Sequence, residues 1–361
     1  MNKKSLRRWI WLAVSTLILG LIIYNLRQNP EWRHFNLKRL WESLRGAQPG
    51  LLILAVVMAY LTYLIRALRW GCFMAPMKKA STWVLFVGQV LGFSSIYLVG
   101  RPGEFVRPAY IAKKENVPIT SMAAVWLLER IFDSICLVFL FSFALYMAPA
   151  EMSSAGHHVL AVMHHAGDVM MALTVLLVLG LLAYRLKTRE ITAWILRRTQ
   201  IFPERAQRHI EHFLNAFAEG LQVVRSMPNF FASVVLSAIL WCVNGTIFWL
   251  VMKSLGSSDL RQMSWLASAL VMFCASLGLV VQFPGIGGGY QVGAILALTE
   301  MFGIEADVAT GAAILIWILM SFPVILMGLG LLIHEGLSIK RLKAITEEEE
   351  IEERAATVKE S

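Results

Sequence analysis

The chain has 361 residues, of which 57% are hydrophobic and only 16% charged, and its mean hydropathy is +0.62. A water-soluble globular domain of that length needs far more polar surface, so composition excludes it and indicates a polytopic helical membrane protein. The formal net charge of +9 comes from Arg and Lys flanking apolar runs, a pattern of membrane orientation and anionic-lipid contact rather than of nucleic-acid binding.

Apolar runs fall at 9–26, 50–69, 82–100, 120–147, 169–184, 230–252, 264–282 and 308–333. The first follows Lys3, Lys4, Arg7 and Arg8 without a small-residue cleavage site, so it reads as an uncleaved span. Between the first two runs, Leu37, Leu40, Trp41 and Leu44 recur at helical spacing among basic residues, which predicts an interfacial helix. The stretch 185–228 is Arg-rich, broken by Pro203 and Pro228, with an apolar stripe through Ile210, Phe213, Leu214, Phe217 and Leu221; an amphipathic cytoplasmic segment is expected there. The chain divides into a single transmembrane domain over 1–340 and an acidic, disordered tail over 341–361. Cys72, Cys136, Cys242 and Cys274 are scattered in apolar surroundings with no CxxC spacing, so free thiols are expected and neither a disulfide nor a zinc site.

Loop charge sets the orientation. Residues 148–168 contain no Lys or Arg, whereas 185–228 contains many, so the first is external and the second cytoplasmic. Run 120–147 then starts inside, and two spans from a cytoplasmic N-terminus bring the chain back inside near Arg66, Arg69, Lys78 and Lys79. Segment 82–112 therefore begins and ends on one side. By the same reasoning, 264–303 begins and ends outside, with "FPGIGGGYQ" at its turn. Two oppositely oriented re-entrant hairpins result, in repeats of about 50–147 and 230–333, which is the pattern of an inverted repeat with a site between broken helices. Eight ordinary spans are the simpler alternative.

Charges occur at membrane depth in two places. In "LLERIFDSICLVF", Glu129 and Asp133 share a helix face and Arg130 reaches Asp133 at i,i+3. Such residues either fix helix packing as an internal ion-pair network or serve function. Arg101, Glu104 and Arg107 in the first hairpin add two cations and an acid, and Arg66 and Arg69 add uncompensated positive charge. That excess suits an anionic ligand, since guanidinium forks bind phosphate bidentately. In the second hairpin, Gly285, Gly287, Gly288 and Gly289 favour close backbone approach and exposed amides, or else form a helix-packing turn; Gln282, Tyr290 and Gln291 line a path without supplying acid–base chemistry. No GxxxxGK[ST] loop is present. His157, His158, His164 and His165 read as solvated loop histidines rather than metal ligands.

"GRPGEFVRPAYIAKKENVP", "LLERIFD" and "FPGIGGG", in that order, resemble the lysylphosphatidylglycerol synthase transmembrane, or flippase-like, family, which includes the flippase half of the multiple peptide resistance factor. The resemblance covers roughly residues 10–335. It implies a membrane domain that handles or translocates lipids, and it points to Arg101, Gly103, Glu104, Arg107, Pro108, Glu129, Arg130, Asp133, Pro284, Gly285, Gly287 and Gly288. Gln291 stands where the family commonly has an acid, and no counterpart of the synthases' soluble aminoacyl-transfer domain is found, so synthase activity is not expected.

The expectation is thus an all-α inner-membrane lipid transporter, not an enzyme, with no cofactor and no metal. It would move an anionic amphipathic lipid, a phospholipid or a polyprenyl-phosphate-linked one, between leaflets. Arg66, Arg101, Gly103, Glu104, Arg107, Glu129, Arg130, Asp133, Pro284, Gly285, Gly287, Gly288 and Gln291 are the candidate substrate-binding residues. The alternatives are an integral membrane enzyme with Glu129 or Asp133 as general base, or an accessory subunit of a lipid synthase or glycosyltransferase.

Overall fold

A computed structural model describes residues 37–147, 157–198, 227–279, 282–283 and 287–334. The run 9–26, the stripe around 209–224, the tail 341–361, and Pro284 and Gly285 lie outside the described residues, as does the side chain of Arg101. Helices dominate: α1 (Leu37–Arg45), α2 (Pro49–Met74), α3 (Thr82–Val99), α4 (Val106–Glu115), α5 (Ile119–Met147), α6 (His157–Leu186), α7 (Thr188–Arg198), α8 (Met227–Ser254), α9 (Ser258–Gln262), α10 (Trp265–Gly278), α11 (Gly289–Leu296) and α12 (Ala306–His334). Among the described residues, α2, α8 and α12 are long and apolar enough to cross a membrane. α5 is as long as α12, at 29 residues, but carries the Glu129, Arg130 and Asp133 charges in its first half.

Both expected hairpins are helix–turn–helix units whose arms touch through glycine. α3 ends at Gly100, whose positive φ of 83° only glycine adopts easily, and Pro102 in the next turn cannot continue the helix. A 3₁₀ turn, Arg101–Phe105, redirects the chain into α4, which stops at left-handed Asn116 (φ 51°). A Cβ on Gly88 would sit 2.7 Å from Ile111, one on Gly92 would sit 2.6 Å from the Arg107 Cβ, and one on Gly103 would strike the Ser95 backbone. The ordered pairing 88 with 111, 92 with 107 and 95 with 103 makes the arms antiparallel. Lys78 pairs with the Glu115 carboxylate at 3.4 Å and Glu115 accepts from the Ser81 amide at 2.9 Å, which closes the open end of this hairpin.

The second hairpin repeats the plan. Ser264 caps α10 by accepting from the Ala267 amide at 3.1 Å. A short ladder pairs β1 (Gln282–Phe283) with β2 (Gly287–Gly288) at the tip, and α11 returns antiparallel to α10. A Cβ on Gly278 would strike the Gly289 carbonyl, and one on Gly293 would strike that of Cys274. The last turn, Ala297–Met301, widens into a π-helix.

The two halves pack in matched pairs. α2 lies along α8, antiparallel to it: the Gln48 amide donates to the Ser254 carbonyl at 2.8 Å near one end, and Arg69 donates to Ser237 at 3.0 Å near the other. Around them, α2 packs on α3 as α8 packs on α10, and α4 on α5 as α11 on α12. α3 also meets α12 while α10 meets α5. The first of these crossings is bridged by Ser94 Oγ, 2.7 Å from the Val324 carbonyl, in a niche opened by Gly328. The second carries a stacked Phe141–Phe273 pair with centroids 3.8 Å apart. α1 rests its Leu40 and Leu44 on α12 at Gly311, so this amphipathic helix covers the bundle.

One difference from the sequence reading concerns 157–168. The histidines expected in a loop lie in the first turns of α6, since the segment has no proline and its one glycine, Gly167, comes near its end. Tyr146 there donates to Asp168 at 2.7 Å and packs on the His164 ring.

Candidate functional site

The charged residues of α2, α4 and α5 converge behind the first hairpin. Asp133 and Glu129, one turn apart on α5, bracket Arg69 of α2: Arg69 Nη1 donates to Asp133 Oδ1 at 2.6 Å and Nη2 to Glu129 Oε1 at 2.9 Å. Ser237 of α8 accepts a further bond from Arg69 Nη1, and Trp241 of α8 donates to Asp133 Oδ1 at 3.3 Å, so both halves contribute. Arg69 and Glu129 are fully buried.

Arg107 enters from α4 through the gap left by Gly92. Its Nη1 donates to Gln89 Oε1 at 2.7 Å and its Nη2 lies 2.7 Å from Glu129 Oε2. The guanidinium stands over the faces of Trp70 (4.9 Å) and Phe93 (5.4 Å), where ring quadrupoles stabilise a cation. Arg66, one turn before Arg69, lies 3.6 Å from Glu129 and 3.9 Å from Asp133 and also stacks on Phe93 at 4.7 Å. Arg130 pairs with both carboxylates at 3.3 Å. The Arg66 side chain is 12% exposed and that of Arg130 is 41% exposed, so Arg130 forms the open rim of an otherwise buried cluster.

Among the described residues, four guanidiniums therefore surround two carboxylates, leaving an excess of two positive charges. Donors are also in surplus. Arg69 Nε, Arg130 Nε, Gln89 Nε2 and Trp70 Nε1 are buried with no hydrogen-bond partner among the described residues. Within the cluster the acceptor in the same condition, Glu129 Oε2, is already engaged as an ion pair with Arg107 and Arg130, without hydrogen-bond geometry. A buried charge without a counterion is costly, and a buried donor left unmade costs about 1–3 kcal/mol. Such a centre favours an acceptor-rich anion.

Of the sequence-predicted site residues, Arg66, Arg107, Glu129, Arg130 and Asp133 meet here. Glu104 does not: no ion pair joins it to these groups among the described residues, because the 3₁₀ turn at 101–105 precedes α4 and carries it away from the Arg107 position. Gly103 serves the turn's close approach to α3. Gly287 and Gly288 form the β2 strand, and Gln291 Oε1 accepts from the Gly288 amide at 2.6 Å, so at least one of its roles is to cap the second hairpin's returning helix. Arg69, Gln89, Ser237 and Trp241 belong to the cluster although they were not among the predicted site residues. Arg69 was visible in the sequence beside Arg66 as excess positive charge, three residues on and on the same face of α2; the α8 partners had no sequence signal.

A cavity of about 420 Å³ lies elsewhere, at the open end of the second hairpin, lined in part by Glu42, Asp259 and Glu305, with no basic residue among the described ones. No group of His, Cys, Asp and Glu among the described residues could hold a metal ion.

These elements define a multi-pass helical membrane protein with a buried, arginine-rich centre. The chain matches the family model described as the lysylphosphatidylglycerol synthase TM region over residues 8–328, and it belongs to that family, a membrane domain linked to lipid handling. Comparison with individually curated proteins finds no match.

Proposed function

We propose that the protein is a lipid transporter of the inner membrane that binds an anionic headgroup at the Arg66–Arg69–Arg107–Arg130 cluster and moves the lipid between leaflets. The observation that carries this reading is the two-charge excess around Glu129 and Asp133, which an internal structural network would have no reason to retain. Covalent chemistry at this centre is disfavoured by the same contacts. Each carboxylate is held by at least three guanidiniums, so neither is placed as a free general base.

The two hairpins act as oppositely oriented re-entrant elements of an inverted repeat. Antiparallel α2 and α8 and the matched pairing of their neighbours support that arrangement, since a two-fold axis in the membrane plane relates antiparallel elements. Movement follows from rocking of one repeat against the other around the cluster, to which α2, α4 and α5 of the first half and α8 of the second all contribute. The test is reconstitution into liposomes with a fluorescent anionic phospholipid and chemical quenching of the outer leaflet. Leaflet exchange by the parent and its loss in Arg107→Lys at equal reconstitution would support the reading; exchange no faster than in empty liposomes would overturn it.

A further inference from the structure

Resting on the headgroup reading, we propose that the site is matched to a dianionic headgroup, a terminal phosphomonoester or a diphosphate, and discriminates against singly charged phosphodiester headgroups. Among the described residues the cluster holds Arg66, Arg69, Arg107 and Arg130 against Glu129 and Asp133, so it is two negative charges short. A phosphodiester supplies one and leaves one cation of the cluster uncompensated. A phosphomonoester above its second ionisation, near pH 6, supplies close to two and neutralises the centre. The donor inventory points the same way. Arg69 Nε, Arg130 Nε and Gln89 Nε2 are buried and without acceptors among the described residues, and a terminal phosphate offers three non-bridging oxygens where a diester offers two. Arg130, with 41% of its side chain exposed, provides the approach from the rim.

Binding is measured with full-length protein in detergent by native mass spectrometry at pH 8. Phosphatidic acid, phosphatidylmethanol and phosphatidylglycerol with identical acyl chains serve as probes, and phosphatidylcholine is the blank. Phosphatidic acid and phosphatidylmethanol differ by one methyl group and one charge, so size and chains are held constant. The expected result is binding of phosphatidic acid about tenfold or more tighter than either phosphodiester, the least that one extra charge at close range should yield. Equal affinities for all three anionic lipids would overturn the dianion match while leaving the anionic-headgroup reading intact. Binding of none above phosphatidylcholine would overturn both. Competition by inorganic phosphate or diphosphate as strong as that by phosphatidic acid would uphold the dianion match and assign it to a soluble anion instead of a lipid.

Two variants separate charge count from fold. Arg130→Gln, at the rim, lowers the excess to one and should bring the phosphatidic acid to phosphatidylmethanol ratio close to one without changing thermal stability. Lys187→Gln, at an exposed pair with Glu190 that belongs to no part of the cluster, removes a positive charge elsewhere and should keep the ratio of the parent. An Arg130→Gln protein that keeps the full tenfold preference would overturn the match.

Discussion

Asp133 shows how tightly residue chemistry is coupled at this centre. It is buried on α5 and in reach of Arg69, Arg66, Arg130 and the Trp241 indole. Asp133→Asn removes the charge that holds Arg69 and leaves that guanidinium buried with Glu129 as its remaining ionic partner. Breaking a buried pair this way costs about 3–5 kcal/mol, seen as a large drop in the detergent unfolding temperature. Arg69→Met with Asp133→Leu substitutes apolar groups of similar size for both partners and should recover most of that loss. If the double variant is no more stable than the single one, the network rather than the pair carries the stability. Arg107→Lys makes a different point. Lysine keeps the charge but cannot span Gln89 and Glu129 with one planar fork or stack on Trp70. Headgroup affinity should fall several-fold, read by native mass spectrometry, while thermal unfolding shifts little. Loss of both together would mean that Arg107 is a packing residue.

At the scale of elements, glycine decides how far each hairpin can close. Gly92 faces the Arg107 Cβ, and Gly88, one turn earlier, faces Ile111, so a small-residue stripe on α3 lets α4 lie against it. Gly92→Ala would place a methyl 2.6 Å from that Cβ and force α4 outward, an overpacking cost of about 1–3 kcal/mol. Because the displaced residue is Arg107, headgroup binding should fall with stability; a Gly180→Ala control on α6, where nothing lies within 4 Å, should change neither. Normal binding in Gly92→Ala would show that the hairpin has slack. Legibility from sequence divides along the same line. The breaks at Gly100–Pro102 and at 282–288 were readable because proline and glycine act locally. The α3 stripe was not, because Gly88 and Gly92 sit inside an unbroken apolar run, where spacing alone does not tell which face meets a neighbour. Arg66, Glu129 and Asp133 declared themselves as charges in apolar surroundings. Ser237, which accepts from Arg69, and Trp241, which donates to Asp133, did not, since a serine and a tryptophan in a membrane helix are ordinary and these contacts join α2 and α5 to α8 across more than a hundred residues.

For the whole molecule, the arrangement of α2 and α8 fixes where the hairpins open. α3 follows the C-terminal end of α2, and α10 follows α9 from the C-terminal end of α8. Since α2 and α8 are antiparallel, with Gln48 bonded to Ser254, those two C-terminal ends lie at opposite ends of the bundle. The open end of the first hairpin, at Lys78 and Glu115, is therefore far from that of the second, at Ser257 and Glu305. If α2 and α8 each cross the bilayer, the two hairpins open to opposite faces, the first to the cytoplasm according to its flanking Arg and Lys. Eight ordinary spans would not keep both ends of each hairpin on one side. A Cys-free protein carrying one new cysteine at Lys79, Lys113, Ser258 or Glu305 distinguishes the arrangements with a membrane-impermeant maleimide. Ser258→Cys and Glu305→Cys should react in intact cells, and Lys79→Cys and Lys113→Cys only after the membrane is permeabilised. Opposite labelling of Lys79→Cys and Lys113→Cys would make α3 and α4 a full crossing, and the paired-hairpin architecture on which the transport reading depends would be lost.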